Sequence, residues 1–228
     1  MSNLIANCIT GARHLWGRQS HALPMHAFDC LQSINFASGL GDSAWLLYGL
    51  ARSMKPDICV EIGSARGKSA CYIALALEHN KKGRLYAIDP HTATAWNDSN
   101  SVQTLELMQA NLKTLGLAHR VKILQEFSTQ AAKHWQGPID LLFIDGDHSY
   151  NGVKGDWENF SPFVTKFGVV VFHDTLWDLL PGPRLSREDM GVPKFLEELR
   201  CSGYPMLTLN KDFGITAVQP QRHGLKLR

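Results

Sequence analysis

The sequence predicts a doubly wound α/β domain, a mostly parallel sheet with helices on both faces. Three observations predict it. From residue 57 onward, short apolar runs alternate with helical stretches of 8–16 residues, the pattern of βαβ units and a parallel sheet. The runs end in Gly or in acids, at the carboxyl ends where such sheets bind ligands. The chain then closes on two short runs joined by "NKDFG", a hairpin that adds an antiparallel strand at one edge.

The elements follow in order. Residues 26–37 and 42–54 read as helices, the second with Ala44, Leu47, Tyr48 and Ala51 on one face and Asp42 or Ser43 as its cap. "DICVEIG" (57–63) is a strand ending in Gly, and "KSACYIALALEH" (68–79) a helix. "RLYAID" (84–89) is a strand; residues 101–115 form an amphipathic helix closed by Gly116. Residues 120–126 are a strand and 128–135 a short helix that Ser128 or Thr129 caps. "IDLLFID" (139–145) is a strand, 150–164 a helix with Asp147 as its cap, "GVVVFHD" (168–174) a strand and 191–201 a helix. The last strands lie near 204–209 and 213–218. The organisation is one domain over residues 55–228 with a helical N-terminal extension over 1–54.

At 228 residues and 44% hydrophobic, the chain can bury a full core. Its 23 basic and 21 acidic residues give +2, which offers no general attraction to nucleic acid or an anionic membrane. Five cysteines are scattered with no CxxC pair, so a reduced, cytoplasmic protein is expected. The N-terminal stretch has neither a signal-peptide layout nor a long apolar span.

The first βα turn, "VEIGSARGKS" (60–69), spaces Gly63 and Gly67 as GxxxG. The two glycines allow a tight turn and close approach of a ligand. The middle Gly of a dinucleotide fingerprint is missing, with Ser64 or Ala65 in its place. Glu61 would repel a pyrophosphate and attract a cation, so a nicotinamide cofactor is disfavoured. S-adenosylmethionine, with a sulfonium and an ammonium and no phosphate, suits the turn. Asp89, ending the second strand, is placed to accept hydrogen bonds from two ribose hydroxyls. Ser128, after the third strand, would border the adenine. Two further strands end in charge: "FIDGDHSY" (143–150) with Asp145, Asp147 and His148, and "GVVVFHDT" (168–175) with His173 and Asp174.

"VEIGSARGKSA", "LYAIDP", "LLFIDGDHSY" and "GVVVFHDT", in this order and spacing, resemble class I S-adenosylmethionine-dependent methyltransferases. The resemblance covers about residues 40–218 and is nearest to small-molecule O-methyltransferases, especially a sugar and antibiotic-tailoring branch. It implies a Rossmann-like sheet, with the helices of residues 1–54 over the substrate side. Cofactor contacts are expected from Glu61, Gly63, Ser64, Gly67, Ser69, Asp89, Ser128 and Asp145. It also places the fourth and fifth strands side by side, so that Asp145, His173 and Asp174 would converge on a divalent cation, Mg²⁺ or Mn²⁺. His173 stands where an acid is usual. His148 stands where the resembled enzymes carry the general base, and histidine titrates near neutrality.

The expected reaction is methyl transfer to a hydroxyl of a small molecule, a sugar or natural product first and a catechol-like phenol second. Small enzymes of this type often pair, so a homodimer is expected. The alternatives are a metallohydrolase built on Asp145, His173 and Asp174, and a non-catalytic cofactor-binding protein. The Pro- and Gly-rich stretch 176–191 reads as a substrate loop, with Trp177, Arg184 and Arg187 as contacts, and Trp96 is placed to lie over the cofactor.

Overall fold

The computed structural model describes residues 25–96, 103–179 and 187–220. Two helices, α1 (Met25–Ser33) and α2 (Ala44–Met54), precede the sheet. Then come β1 (Ile58–Ile62), α3 (Lys68–Asn80), β2 (Arg84–Ile88), α4 (Thr104–Thr114), β3 (Val121–Leu124), α5 (Ser128–Ala131) and β4 (Ile139–Ile144). The chain continues through α6 (Tyr150–Phe160), β5 (Val164–His173), α7 (Val192–Cys201), β6 (Met206–Leu209) and β7 (Ile215–Val218). No helix among the described residues is long and apolar enough to cross a membrane.

The seven strands form one sheet in the order β3-β2-β1-β4-β5-β7-β6. The first five are parallel, and β7 runs antiparallel to both β5 and β6. Strand order reverses between β1 and β4, and that switch point opens a crevice above their carboxyl ends.

Alternation along the central strands divides the core into two layers. In β4, Leu141 and Phe143 pack on one face with α1 to α4, while Leu142 and Ile144 pack on the other with α6 and α7. A parallel strand buried on both faces must be apolar throughout, which is why "LLFI" runs without a break. Leu31, Phe36, Leu40, Leu47 and Ala51 belong to the first layer, so residues 31–51 share the core of the sheet domain.

Several boundaries differ from expectation. The helix expected over 26–37 ends at Ser33, whose hydroxyl donates to the Cys30 carbonyl at 2.8 Å. Asn35 then accepts the Ala37 N–H, and Ala37 turns left-handed at φ 45°. The freed segment 36–40 reaches the ligand cavity. The helix expected from 42 starts at Ala44 after a 3₁₀ turn, and neither proposed cap acts as one. Asp42 instead pairs with Lys211 at 3.1 Å, and the Ser43 hydroxyl donates to the Lys211 carbonyl.

The helix expected over 150–164 stops at Phe160. Pro162 lacks an N–H and tightens the chain into a 3₁₀ turn. β5 therefore begins at Val164 rather than 168, with a register shift against β4 between Ile139 and Leu141. Ser149, not Asp147, is the α6 cap and accepts the Gly152 N–H. The helix expected over 128–135 ends at Ala131, and neither Ser128 nor Thr129 caps it. Gln130 Oε1 accepts the Phe127 N–H at 3.1 Å in their place.

Candidate functional site

The first turn is built around Gly63, at φ 86°. A Cβ there would stand 2.1 Å from the Asp145 carbonyl oxygen. Only glycine lets the end of β1 lie against the end of β4 this closely. Gly67, at φ 81°, is the N-cap of α3, and its N–H donates to the Ser64 carbonyl at 2.7 Å. The Ser64 hydroxyl is buried, 2% exposed, and has no hydrogen-bond partner.

Glu61 is fully buried, and no hydrogen bond of ordinary geometry reaches either carboxylate oxygen. Burial pushes its carboxyl up to about 8. The Ser69 hydroxyl beside it offsets part of this, and the charges of Asp145 and Asp89 add to the rise. Asp89 joins the first two βα turns. Its Oδ2 accepts the Ala65 N–H at 2.8 Å and its Oδ1 the His91 N–H at 2.7 Å. A carboxylate has about four acceptor positions, so lone pairs remain for a ligand.

The ends of β4 and β5 meet as expected. His148 Nδ1 lies 2.9 Å from Asp174 Oδ2, and its Nε2 lies 3.5 Å from Asp145 Oδ1. His173 Nδ1 lies 3.2 Å from Asp145 Oδ1 and 3.3 Å from Asp174 Oδ1. The other nitrogen of His173 faces the Asp212 carbonyl at 2.7 Å. A carbonyl only accepts, so Nε2 carries a proton and Nδ1 is the atom turned toward the two acids. Asp174 is held left-handed at φ 57°, and its buried Oδ1 has no hydrogen bond.

The acids hold protons on the imidazoles. Burial opposes charge on His148, but hydrogen bonds and charge from Asp145 and Asp174 outweigh it, and its pKa rises to about 10. His173 rises to about 9 for the same reasons, with the Asp212 carbonyl adding to the effect. Burial would raise Asp145, yet the two histidines hold it down at about 2. Two carboxylates and two imidazolium rings therefore balance within a few ångströms. Ligand atoms of Asp145, His148 and Asp174 all lie within 4.8 Å of one another. Once a ring gives up its proton, these donors and the orphaned Asp174 oxygen fit a divalent cation. The triad includes His148 where the sequence pointed to His173, which also lines the cavity and turns Nδ1 to both acids at 3.2 and 3.3 Å.

A cavity of about 580 Å³ opens between the two halves of the site, within the range of small-molecule sites. Gly63, Ser64, Ser69, Asp89, Ser128, Asp145, His148, His173 and Asp174 line it, and Glu61 and Gly67 do not. Asp156, buried in α6 and raised to about 7 by desolvation, takes a hydrogen bond from Ser128.

Trp96 stacks on the Arg187 guanidinium, 3.6 Å from the ring centroid, with His148 at 5.2 Å. Asp189 accepts from Arg187 at 3.0 and 2.7 Å. Trp177 stacks on Phe213 at 4.9 Å. Arg184 lies outside the described residues. Sequence reasoning missed Phe36, Lys68, Asp212 and Phe213. Lys68 was visible in the quoted turn, whereas Asp212 and Phe213 reach the site through a hairpin far along the chain.

Residues 60–175 match the family model described as a methyltransferase domain. Protein y4gI of Sinorhizobium fredii is 28% identical over 140 residues, 58% of this chain and 15% of that protein. Protein R132 of Acanthamoeba polyphaga mimivirus is 29% identical over 136 residues, 57% of each chain. The chain thus spans only part of the curated relatives it matches. Among solved structures, the SAH-bound methyltransferase PaMTH1 of Podospora anserina superposes with TM-score 0.64 at 17% identity, covering 96% of this chain and 94% of that one. The O-methyltransferase TomG of Streptomyces achromogenes, involved in tomaymycin synthesis and solved with SAM, gives 0.61 at 18% identity, covering 94% and 95%.

Proposed function

Since the chain belongs to the methyltransferase-domain family, we propose that it transfers a methyl group from S-adenosyl-L-methionine to a hydroxyl of a small molecule. One observation carries this reading: the Gly63 turn and the acid–imidazole cluster open into the same cavity, and Gly63 touches the Asp145 backbone. The metallohydrolase alternative gives no account of Glu61, Gly63 and Asp89, and the GxxxG turn with Glu61 disfavours a nicotinamide cofactor.

The cofactor supplies an electrophilic methyl on a sulfonium. Asp89 is the ribose acceptor, and Ser64 and Ser69 offer hydroxyls along the first turn. Ser128 borders the adenine end. Glu61, whose carboxyl burial raises to about 8, would be drawn into its charged form by the cofactor's sulfonium or ammonium. Asp145, Asp174 and Nδ1 of a neutral His173 would hold a divalent cation, Mg²⁺ or Mn²⁺, which would acidify the acceptor hydroxyl, draw the carboxylate charge away from His148 and leave that ring to act as a base.

His148 is the general base. With Nδ1–H donated to Asp174, Nε2 is the atom left to take the hydroxyl proton. His173, with Nε2–H on the Asp212 carbonyl, fixes the Asp145 side of the cluster. The Trp96–Arg187 stack and the Trp177–Phe213 pair form apolar walls. They favour a flat or ring-shaped acceptor, and much of the rate comes from holding it in line with the sulfonium methyl.

The test is calorimetric titration of S-adenosylmethionine into metal-stripped protein, repeated with Mg²⁺ and Mn²⁺. Binding should be at least tenfold weaker in Asp89→Ala. A separate metal heat should vanish in Asp174→Ala while cofactor binding survives. Absence of any cofactor heat with the wild-type chain would sink the reading.

A further inference from the structure

Lys68 has three features that nothing in the fold compensates. It is the first residue of α3, where the helix end is already positive and a cation is disfavoured. Burial lowers its affinity for a proton, against the smaller pull of Asp212 and Asp42. Among the described residues it has no hydrogen-bond or ion-pair partner.

Every other charged side chain in the cavity wall has a partner. Asp89 accepts two backbone N–H groups, and Asp147 accepts the Ser149 N–H. Asp145 and Asp174 face the imidazoles. Arg66 donates to the Ala37 carbonyl, and Arg187 is paired with Asp189. Lys68 alone is left over.

The Ser64 hydroxyl, buried and unpartnered, lies in the same wall. The first turn of a long helix adds N–H groups without intrahelical acceptors. A cation, a buried hydroxyl and a helix N-terminus around one cavity make an anion site. Lys68 also walls a neighbouring hollow of about 320 Å³ with Asn35, Asp42 and Tyr72. It therefore stands on the side of the Phe36–Leu40 segment.

We propose that Lys68 anchors a carboxylate of a ligand bound in this cavity, supplied by the amino-acid end of S-adenosylmethionine or by the other small molecule that the cavity takes. The first source rests on the methyl-transfer reading. The second does not depend on which group accepts the methyl.

The full chain and its Lys68→Met and Lys68→Arg variants are titrated with four probes. S-adenosylhomocysteine carries the carboxylate, 5′-methylthioadenosine lacks the whole amino-acid end, and 3,4-dihydroxybenzoate is compared with 3,4-dihydroxybenzyl alcohol. Lys68→Met should weaken one carboxylate ligand by about 10- to 100-fold, the loss of a charge-assisted contact. Its neutral counterpart should be unchanged, and Lys68→Arg should retain most of the binding.

Loss confined to S-adenosylhomocysteine assigns the cofactor; loss confined to the benzoate assigns the other small molecule. Equal loss for charged and neutral probes, or no loss at all, overturns the proposal. In denaturant melts without ligand, Lys68→Met should be at least as stable as wild type; a less stable variant indicates a structural lysine and also overturns it. If the wild type binds the benzoate but neither nucleoside, the methyl-transfer reading fails while the anchor stands. If it binds none of the four, both fail.

Discussion

His148 and His173 show how four side chains can set the acid–base behaviour of a whole site. Their folded pKa values, about 10 and about 9, lie above the ordinary histidine value of 6.5. Folding therefore holds these protons more tightly than the unfolded chain does. This contribution is complete below about pH 6.5 and is lost as pH rises through about 9 to 10. Glu61 and Asp156 are raised to about 8 and about 7, so their contribution also falls with rising pH but is spent by about pH 8. Metal-free protein should thus keep losing stability above pH 8; between pH 8 and 9 that limb belongs to the histidines, before the buried thiols of Cys59 and Cys71, pushed up by burial, add to it. Denaturant midpoints across pH 5–10 check it. The His148→Gln/His173→Gln variant should flatten the limb between pH 8 and 9, and an unchanged limb there would contradict the assignment. The protonated rings were not legible in the sequence. It showed which residues end the strands, but the 2.9–3.5 Å distances come from two strands pairing.

At the scale of elements, α6 illustrates what a sequence pattern hides. Its apolar residues suggested a helix running to 164, yet Pro162 outweighs them and hands the next residues to β5. Two neighbouring oxygens, on Asp147 and Ser149, competed to start the helix. Ser149 takes the capping role, accepting the Gly152 N–H at 3.1 Å, while Asp147 accepts the Ser149 N–H at 2.8 Å. Short-range chemistry was readable here, but not which of two adjacent caps would win. Ser149→Ala should cost about 1 kcal/mol of stability. Because His148 directly precedes that cap, the variant should also lower turnover more than it weakens cofactor binding. Thermal melts and single-turnover rates would check both parts. Equal effects on turnover and binding would contradict a local role for the cap.

For the molecule as a whole, the fold class was the most legible feature, a mostly parallel sheet closed by an antiparallel hairpin, because fully apolar runs of strand length alternate with helices and leave few other topologies. The resemblance of four ordered motifs placed the cofactor turn and the two charged strand ends on one rim, where the cavity lies. Less legible were the contributions of distant segments. Phe36–Leu40 arrives because the first helix stops early, and Asp212 and Phe213 arrive from the hairpin. A ligand that bridges both halves should stabilise the entire domain. S-adenosylhomocysteine at 100 times its dissociation constant should add about 2.7 kcal/mol, with no effect from NAD, in a thermal-shift measurement. A shift with NAD and none with S-adenosylhomocysteine would reverse the choice of cofactor.

The position of β7 between β5 and β6 also has a consequence in time. A ribosome makes β5 well before β7, and its outer edge, with Val170, Val171 and Phe172, waits for a partner still to be synthesised. Until that partner emerges, an apolar strand edge stands open, the kind of surface on which nascent chains misassociate. The same delay withholds the Asp212 carbonyl that orients His173. A growing chain thus carries every acid and imidazole of the cluster before it can set them in place, and its chemistry begins only when the last strands have closed the sheet.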